Sequence, residues 1–316
     1  MDYNLSTVSL DRIQTDNHTF RITTSVDKPD LSGSIAAVGL LQPPVLLPVD
    51  GGFITVCGFR RIAACLENHQ TRITARLLPD ASSWAACADI AIIDNTSQRP
   101  LNIVEQSRAI TLIGRYAAMH PGEASRLADL SGLPTGKRAK NRIAPVASMP
   151  SSLQHAILEG SVALPVALRI DRLPADDATS ICDFFRLINT GLNVQRELLE
   201  LICDISQRED TQICQLIQTA EVTAILKDTD APMPQRVHGL RQLFKNWRFP
   251  ELSTAEARFH KRLKSLKLAP NVQLLPPPFF EGTNFRLTLT VNSKRQLRAA
   301  RQQIDKLADH PELFPD

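Results

Sequence analysis

A glycine followed two and three residues later by paired arginines, where an extended run meets a helix, is a pattern suited to holding phosphate. In FITVCGFRRIAAC (53–65) the run to Cys57 reads as a strand and Gly58 as the turn, which puts Arg60 and Arg61 in a helix's first turn. A helix N-terminus already carries partial positive charge and unpaired N–H groups, so two guanidinium groups there oppose the dipole unless an anion joins them. Gly58 would admit close backbone approach, the free N–H groups would donate, and the arginines would clamp phosphate oxygens. The competing reading is that both arginines point into solvent or pair with carboxylates of the protein itself.

Two further stretches suit polyanions. KRAKNR (137–142) puts four cations in six residues, and Gln235 to Lys306 holds fifteen Lys and Arg against four Asp and Glu. Lys and Arg steer and hold phosphates, although a solvated face has the same composition. The six cysteines show no CxxC and no histidine at ligand spacing, so reduced, mostly buried thiols are expected rather than a zinc site or disulfides. The seven histidines lack a paired acid or nucleophile at telling spacing, and Trp84 and Trp247 read as packing residues.

These residues need elements to position them. With 316 residues, 43% hydrophobic and 22% charged, the chain can bury a sizeable core over two or three domains. No run approaches the roughly 18 apolar residues of a membrane span, and MDYNLSTVSLD lacks the charge and apolar regions of a signal peptide. A cytoplasmic protein without membrane partners is expected. PPVLLPV (43–49) and FITVC (53–57) read as strands joined by a tight turn at Asp50-Gly51-Gly52, and TRITARLL (71–78) as a third strand. FRRIAACLENH (59–69) places Phe59, Ile62, Ala63 and Leu66 on one helix face.

From about 100 to 265 the pattern is helical. Asn102 and Glu105 have the form of a capping box for a helix carrying Ile103, Ile110, Ile113 and Ala117 on one side. Further helices are expected at 123–131, 151–159, 176–189, 194–207, 211–226 and 235–247. LLPPPFFEG (274–282) breaks the pattern; FRLTLTV (285–291) then alternates as a strand and 293–308 as an amphipathic helix. That last unit is too short to bury much core and is expected to pack on the helical region or on a second copy of the chain.

Three stretches together resemble the ParB family of DNA-partitioning proteins, whose N-terminal domain is related in fold to sulfiredoxin. GLLQPPVLLPV (39–49), CGFRRIAA (57–64) and DNTSQRPLNIVEQSRAI (94–110) are similar to the family's three boxes in order and spacing. RLADLSGLP (126–134) and SMPSSLQHAILEGSVALPVAL (148–168) continue the likeness, which covers about residues 5 to 200. The resemblance implies an α+β multidomain chain. A ParB/sulfiredoxin-like nucleotide-binding α/β domain would occupy 1–98, a helical DNA-binding domain with a degenerate helix-turn-helix 99–268, and a small α/β unit, a candidate for dimerisation, 269–316.

It also implies binding of a nucleoside triphosphate, usually CTP, with Mg2+. Gly58, Arg60 and Arg61 would contact the phosphates, Asn95 the nucleotide, Asp94 the metal, and Gln42 would approach the γ-phosphate as a catalytic residue. The family pattern differs at three places. Its Gly-Glu-Arg-Arg has Phe59 in place of Glu, its third-box Glu is Asp94, and its arginine falls one position later, at Arg99. Weak CTP hydrolysis is therefore left open. Sulfiredoxin relatives need a cysteine where Phe59 stands, so reductase chemistry is not expected. Glu105 is explained by capping alone.

In the family the central helices bind DNA. EASRLADLS (123–131) leads through Gly132 to TGKRAKNRIA (135–144), the place of a recognition helix that Pro145 cuts short. Lys137, Arg138, Lys140 and Arg142 would grip phosphates, with base contacts from Asn141 or Arg142. The expected mechanism is a nucleotide-gated clamp: triphosphate bound to the N-terminal domain and to the helix after Leu101 favours one domain arrangement, and homodimerisation and DNA loading follow. A partition ATPase is a further implied partner, with the nucleoid as location. Two rivals are a ParB-like nuclease or phosphodiesterase, which needs clustered acids for metal, and a nucleotide-free adaptor working through protein contacts.

Overall fold

The computed structural model describes residues 3–24, 31–80, 82–97, 99–117, 131–134 and 136–308. The chain is α+β and divides into two compact units, Met1–Gln195 and Arg196–Asp316. No helix among the described residues is long and apolar enough to cross a membrane.

The first unit opens with a four-stranded sheet. Its strands are β1 (Asn4–Ser9), β2 (Val45–Val49), β3 (Gly52–Cys57) and β4 (Arg72–Leu77), in the order β1-β4-β2-β3. β1 runs antiparallel to β4, β4 parallel to β2, and β2 antiparallel to β3. The expected hairpin is present: Val49 opposes Gly52, and Gly51 turns the chain at φ +84°. Along β2 the side chains alternate between two cores. Val45 and Leu47 join Cys87, Ala91 and Ile92 of helix α3 (Trp84–Thr96) and Leu112 and Ile113 of α4 (Ile103–Ala117). Leu46 joins Ile35 of α1 (Leu31–Val38) and Ile62 and Cys65 of α2 (Phe59–Glu67). Burial on both faces is why this strand reads as an unbroken apolar run, while β4, with Ile73 and Ala75 buried between exposed neighbours, alternates.

One feature of α2 departs from expectation. Its buried residues are Ile62, Ala64 and Cys65, whereas Ala63 is exposed and Leu66 is 42% exposed, so the buried stripe is rotated from the expected Phe59-Ile62-Ala63-Leu66 face. Cys65 counts as a core side chain here, and the Ala63–Leu66 flank borders a cavity of about 390 Å³ instead. The helix ends at Asn68, whose amide donates to the Ser32 carbonyl at 2.8 Å while the Ser32 hydroxyl donates back to its Oδ1 at 2.8 Å, tying α1 to α2.

The capping box of α4 forms as expected. The Glu105 N–H donates to Asn102 Oδ1 at 3.0 Å and the Asn102 N–H to Glu105 Oε2 at 3.1 Å. Helices Lys137–Ile143, Ser151–Leu158, Leu164–Ile170 and Ala175–Ile188 follow. The expected helix at 123–131 lies outside the described residues up to 130. Gln195 fixes the far end of the unit: its amide donates to the carbonyls of Ser161 (2.9 Å) and Thr190 (2.7 Å) and accepts from the Ala163 N–H at 3.0 Å.

In the second unit, Glu197 pairs with Arg241 (2.7 Å) and Lys245 (3.0 Å), and Asp204 with Arg248 (3.0 Å). These bridges tie the helix Leu192–Glu209 to Met233–Arg248. The single helix expected at 211–226 is two, Ile213–Ile217 and Ala220–Lys227. A helix at Pro250–Leu266 was not expected. Its Phe259 centres a small core with Val272 of β5 (Val272–Leu275), Leu289 of β6 (Arg286–Leu289) and Leu307 of the helix Lys294–Ala308. The proline-rich break thus begins inside β5, whose antiparallel partner is β6.

Candidate functional site

The junction of β3 and α2 is built around Gly58. Its φ of +92° suits glycine alone among ordinary residues, and a Cβ there would stand 2.8 Å from Pro44 Cβ. The glycine therefore lets α2 begin hard against the segment leading into β2. Beside it lies a cavity of about 260 Å³, and the lining includes Gln42, Gly58, Arg60, Arg61, Asp94, Asn95 and Arg99. Residues expected from three separate stretches meet around one space: Gln42 before β2, the arginines on α2, and the Asp94-Asn95 pair at the end of α3.

The two arginines do not behave alike. Arg61 Nη1 donates to the carbonyls of Gln42 (2.8 Å) and Pro43 (3.4 Å), and Nη2 stands 3.7 Å from Asp94 Oδ2. Much of its charge is answered by the protein's own oxygens. Arg60 Nη2 is buried and makes no hydrogen bond. A buried unpartnered donor costs roughly 1–3 kcal/mol, and more when charged, so this one is poised for an acceptor that the described residues do not supply. Arg60 thus keeps a buried donor without a partner, whereas Arg61 is engaged and braces the Gln42–Pro43 carbonyls.

Around the cavity, Asn95 Nδ2 is engaged with the Ala91 carbonyl at 2.6 Å. Cys57 is buried and directs its thiol at the Ile90 carbonyl at 3.6 Å; burial and then the neighbouring Asp94 push that thiol well above the ordinary range. Such a group is a packing residue, not a nucleophile. Among the described residues no group of three His, Cys, Asp or Glu could hold a metal ion, so Asp94 is a solitary carboxylate at this cavity. A magnesium ion that takes most of its ligands from water and phosphate needs only one or two protein carboxylates, and Asp94 fits that donor count.

Glu105 does more than cap. It is 0% exposed, and Arg99 grips it through two nitrogens at 2.7 and 2.8 Å while Thr24 donates its N–H at 2.9 Å and its hydroxyl at 3.3 Å. Burial alone would raise its carboxyl, but the bonds from Arg99, Thr24 and Asn102 outweigh it and hold the group below the usual carboxylate range. Because Arg99 also lines the cavity, it links that space to the first turn of α4. The signal for this was present in the sequence, as an arginine six residues before the capping acid, but capping sufficed to explain Glu105.

The basic segment forms a helix, Lys137–Ile143, and gives way to a tight 3-10 turn, Ala144–Ser148, containing Pro145. Lys137, Arg138, Asn141 and Arg142 are exposed and Lys140 is half-buried. The buried Ser107 of α4 ties this end down, donating to the Ala144 carbonyl at 2.9 Å and accepting from the Ala147 N–H at 2.7 Å.

No family model and no curated protein matches the chain. Among solved structures, it is similar to the C-terminally truncated chromosome-partitioning protein ParB of Caulobacter crescentus in complex with CTP-γ-S, at 20% identity, TM-score 0.28, over 58% of this chain and 98% of that one. The same protein complexed to the centromeric parS site matches at 16% identity, TM-score 0.29, over 60% and 96%. A Pnob8-like ParB-N domain matches at 14% identity, TM-score 0.38, over 76% and 98%. At TM-scores this low the functional reading rests on the site's own geometry.

Proposed function

We propose that the chain is a ParB-like DNA-binding protein that binds a nucleoside triphosphate, CTP, beside Gly58, and that occupancy of this site gates a homodimeric clamp on DNA in partition or regulation. The observation that carries the reading is the buried, unpartnered Nη2 of Arg60, a residue that lines the cavity beside Gly58. In this reading Arg60 takes a phosphate oxygen, the N–H groups of the first α2 turn donate, and Gln42 sits where the terminal phosphate ends. Asn95 contacts the nucleotide, and Asp94 is the residue for Mg2+, which would neutralise phosphate charge. Arg61 holds the Gln42 segment in place.

The gate follows from Arg99. A phosphate drawing on its guanidinium competes with Glu105, so the start of α4 and the Thr24 strap feel occupancy, and the ligand selects among arrangements already populated. DNA is then held by Lys137, Arg138, Lys140, Asn141 and Arg142, mainly through phosphates. Hydrolysis would be weak, since Phe59 stands where the family carries an acid. Self-association is assigned to the C-terminal strand-helix unit, with a partition ATPase as a further partner at the nucleoid.

Calorimetric titration of CTP, and of ATP and GTP for comparison, into wild type and Arg60→Ala tests the site. Wild-type binding that vanishes in the variant supports it; equal heats in both place the nucleotide elsewhere. The second reading, a nucleotide-free adaptor, draws on the saturation of Arg61 by Gln42, Pro43 and Asp94. It requires that millimolar CTP leave thermal stability unchanged, whereas a ligand at 100 times its dissociation constant adds about 2.7 kcal/mol. A nuclease is disfavoured because Asp94 is the one carboxylate that the described residues bring to this cavity.

A further inference from the structure

A larger cavity of the first unit lies elsewhere. It measures about 700 Å³ and is walled by the His18–Thr24 segment, α4, the Ala144–Ser148 turn and the helix Ser151–Leu158. Among the described residues its lining carries Arg21, Arg108 and Arg115 together with His18 and His155, and no carboxylate. Arg21 Nε is buried without a hydrogen-bond partner. Arg108 Nη1 donates to the carbonyls of Thr23 (2.8 Å) and Ile22 (3.3 Å), neutral acceptors that carry no counter-charge. Burial, and then repulsion from Arg21, weaken its hold on its proton, so these two cations stand close enough to oppose each other. Glu105, the acid that offsets this, is enclosed by Arg99, Thr24 and Asn102 and does not line the space.

Like charges gathered from separate elements around one enclosure are destabilising unless a counter-charge offsets them. We infer that this cavity is a second anion site, which takes a small free molecule bearing a phosphomonoester or polyphosphate group, separate from the nucleotide site beside Gly58. Its volume lies within the roughly 300–1,000 Å³ of small-ligand sites. The hydroxyls of Thr111 and Ser151 also line the space. The same phosphate chemistry could arrive on a DNA backbone, but a half-enclosed space of this size suits a free ligand.

Inorganic pyrophosphate is the probe, titrated calorimetrically into the full chain carrying Arg60→Gln, so that the cavity beside Gly58 does not contribute. One pyrophosphate should bind, and adding Arg115→Gln should weaken it by about tenfold, the effect of losing one charged hydrogen bond. His155→Gln, a second exposed position on the wall, should weaken it in the same direction. Arg115 and His155 are exposed, so circular dichroism should show both variants folded. The proposal is overturned if Arg60→Gln protein binds no pyrophosphate, or if the added Arg115→Gln changes nothing. It is also overturned if Arg115→Gln weakens a short DNA duplex while leaving pyrophosphate binding intact, because the anion would then be nucleic acid. Failure of CTP to bind wild type leaves this test unaffected, since it concerns the other cavity.

Discussion

Arg60 and Arg61 are neighbours in the chain, yet one is satisfied and the other is not. Successive helical residues point about 100° apart, so Arg61 reaches the Gln42–Pro43 carbonyls and Asp94 while Arg60 does not. The sequence placed both in the first turn of α2, but which would be consumed depended on α3 and the pre-β2 segment, both distant in the chain. Gly58 was legible because its turn joins a strand to a helix. Gly58→Ala should cost about 2 kcal/mol or more, from a left-handed residue with a Cβ against Pro44, measured as a lower urea midpoint. Glu105 gives a pH test. A carboxyl held below its usual value contributes stability that is full above about pH 4.5 and is lost as pH falls through its folded pKa. Glu105→Gln should therefore lose about 2 kcal/mol near neutrality, a gap that narrows below about pH 4; an unchanged gap across that range would detach Glu105 from acid stability.

Whether an element could be read from the sequence depended on how its burial is patterned. β2, β3, β4 and α2 were legible from runs, alternation and the Asp50-Gly51 turn. α3 was not, because WAACADIAII is apolar or small on every side and shows no helical period, although Ser83 caps it and Cys87, Ala88, Ala91 and Ile92 are buried. The helix Pro250–Leu266 was missed for the opposite reason, since only Phe259 is buried in a largely polar surface. β1 is a polar edge strand that alternation alone does not reveal. The helix Lys137–Ile143 is short, as Pro145 implied, and it depends on Ser107. Removing that hydroxyl by Ser107→Ala leaves the partly buried Ala147 N–H without this partner and should cost about 1 kcal/mol, with faster amide exchange at Ala147. If the helix grips DNA phosphates, Lys137→Ala with Arg142→Ala should flatten the slope of log affinity against log salt by about 2 in a duplex titration. An unchanged slope would leave these cations merely solvated.

At the scale of the whole chain, composition proved an uneven guide. The cationic stretch from Gln235 to Lys306 looked like one polyanion-facing surface, but Arg241, Lys245 and Arg248 are taken up by Glu197 and Asp204. The remaining excess includes Lys294, Arg295, Arg298 and Arg301 on the helix Lys294–Ala308, all exposed. That helix carries apolar residues at Leu297, Ala300, Ile304 and Leu307, alternate spacings of three and four that make one seam. Half of the seam is used internally: Ala300 and Leu307 are each 3% exposed, with Leu307 in the Phe259 core. The other half is open, with Leu297 at 56% and Ile304 at 37% exposure, next to a small unit whose Leu287 and Val291 are also exposed. An apolar seam half-covered by its own chain is the surface expected to meet a second copy. Leu297→Glu with Ile304→Glu should shift the full chain from dimer to monomer in sedimentation equilibrium, with far-ultraviolet circular dichroism unchanged because neither residue is buried. A wild type that sediments as a monomer at tens of micromolar would remove the clamp from this chain, while leaving phosphate binding at Arg60 to stand or fall by its own titration.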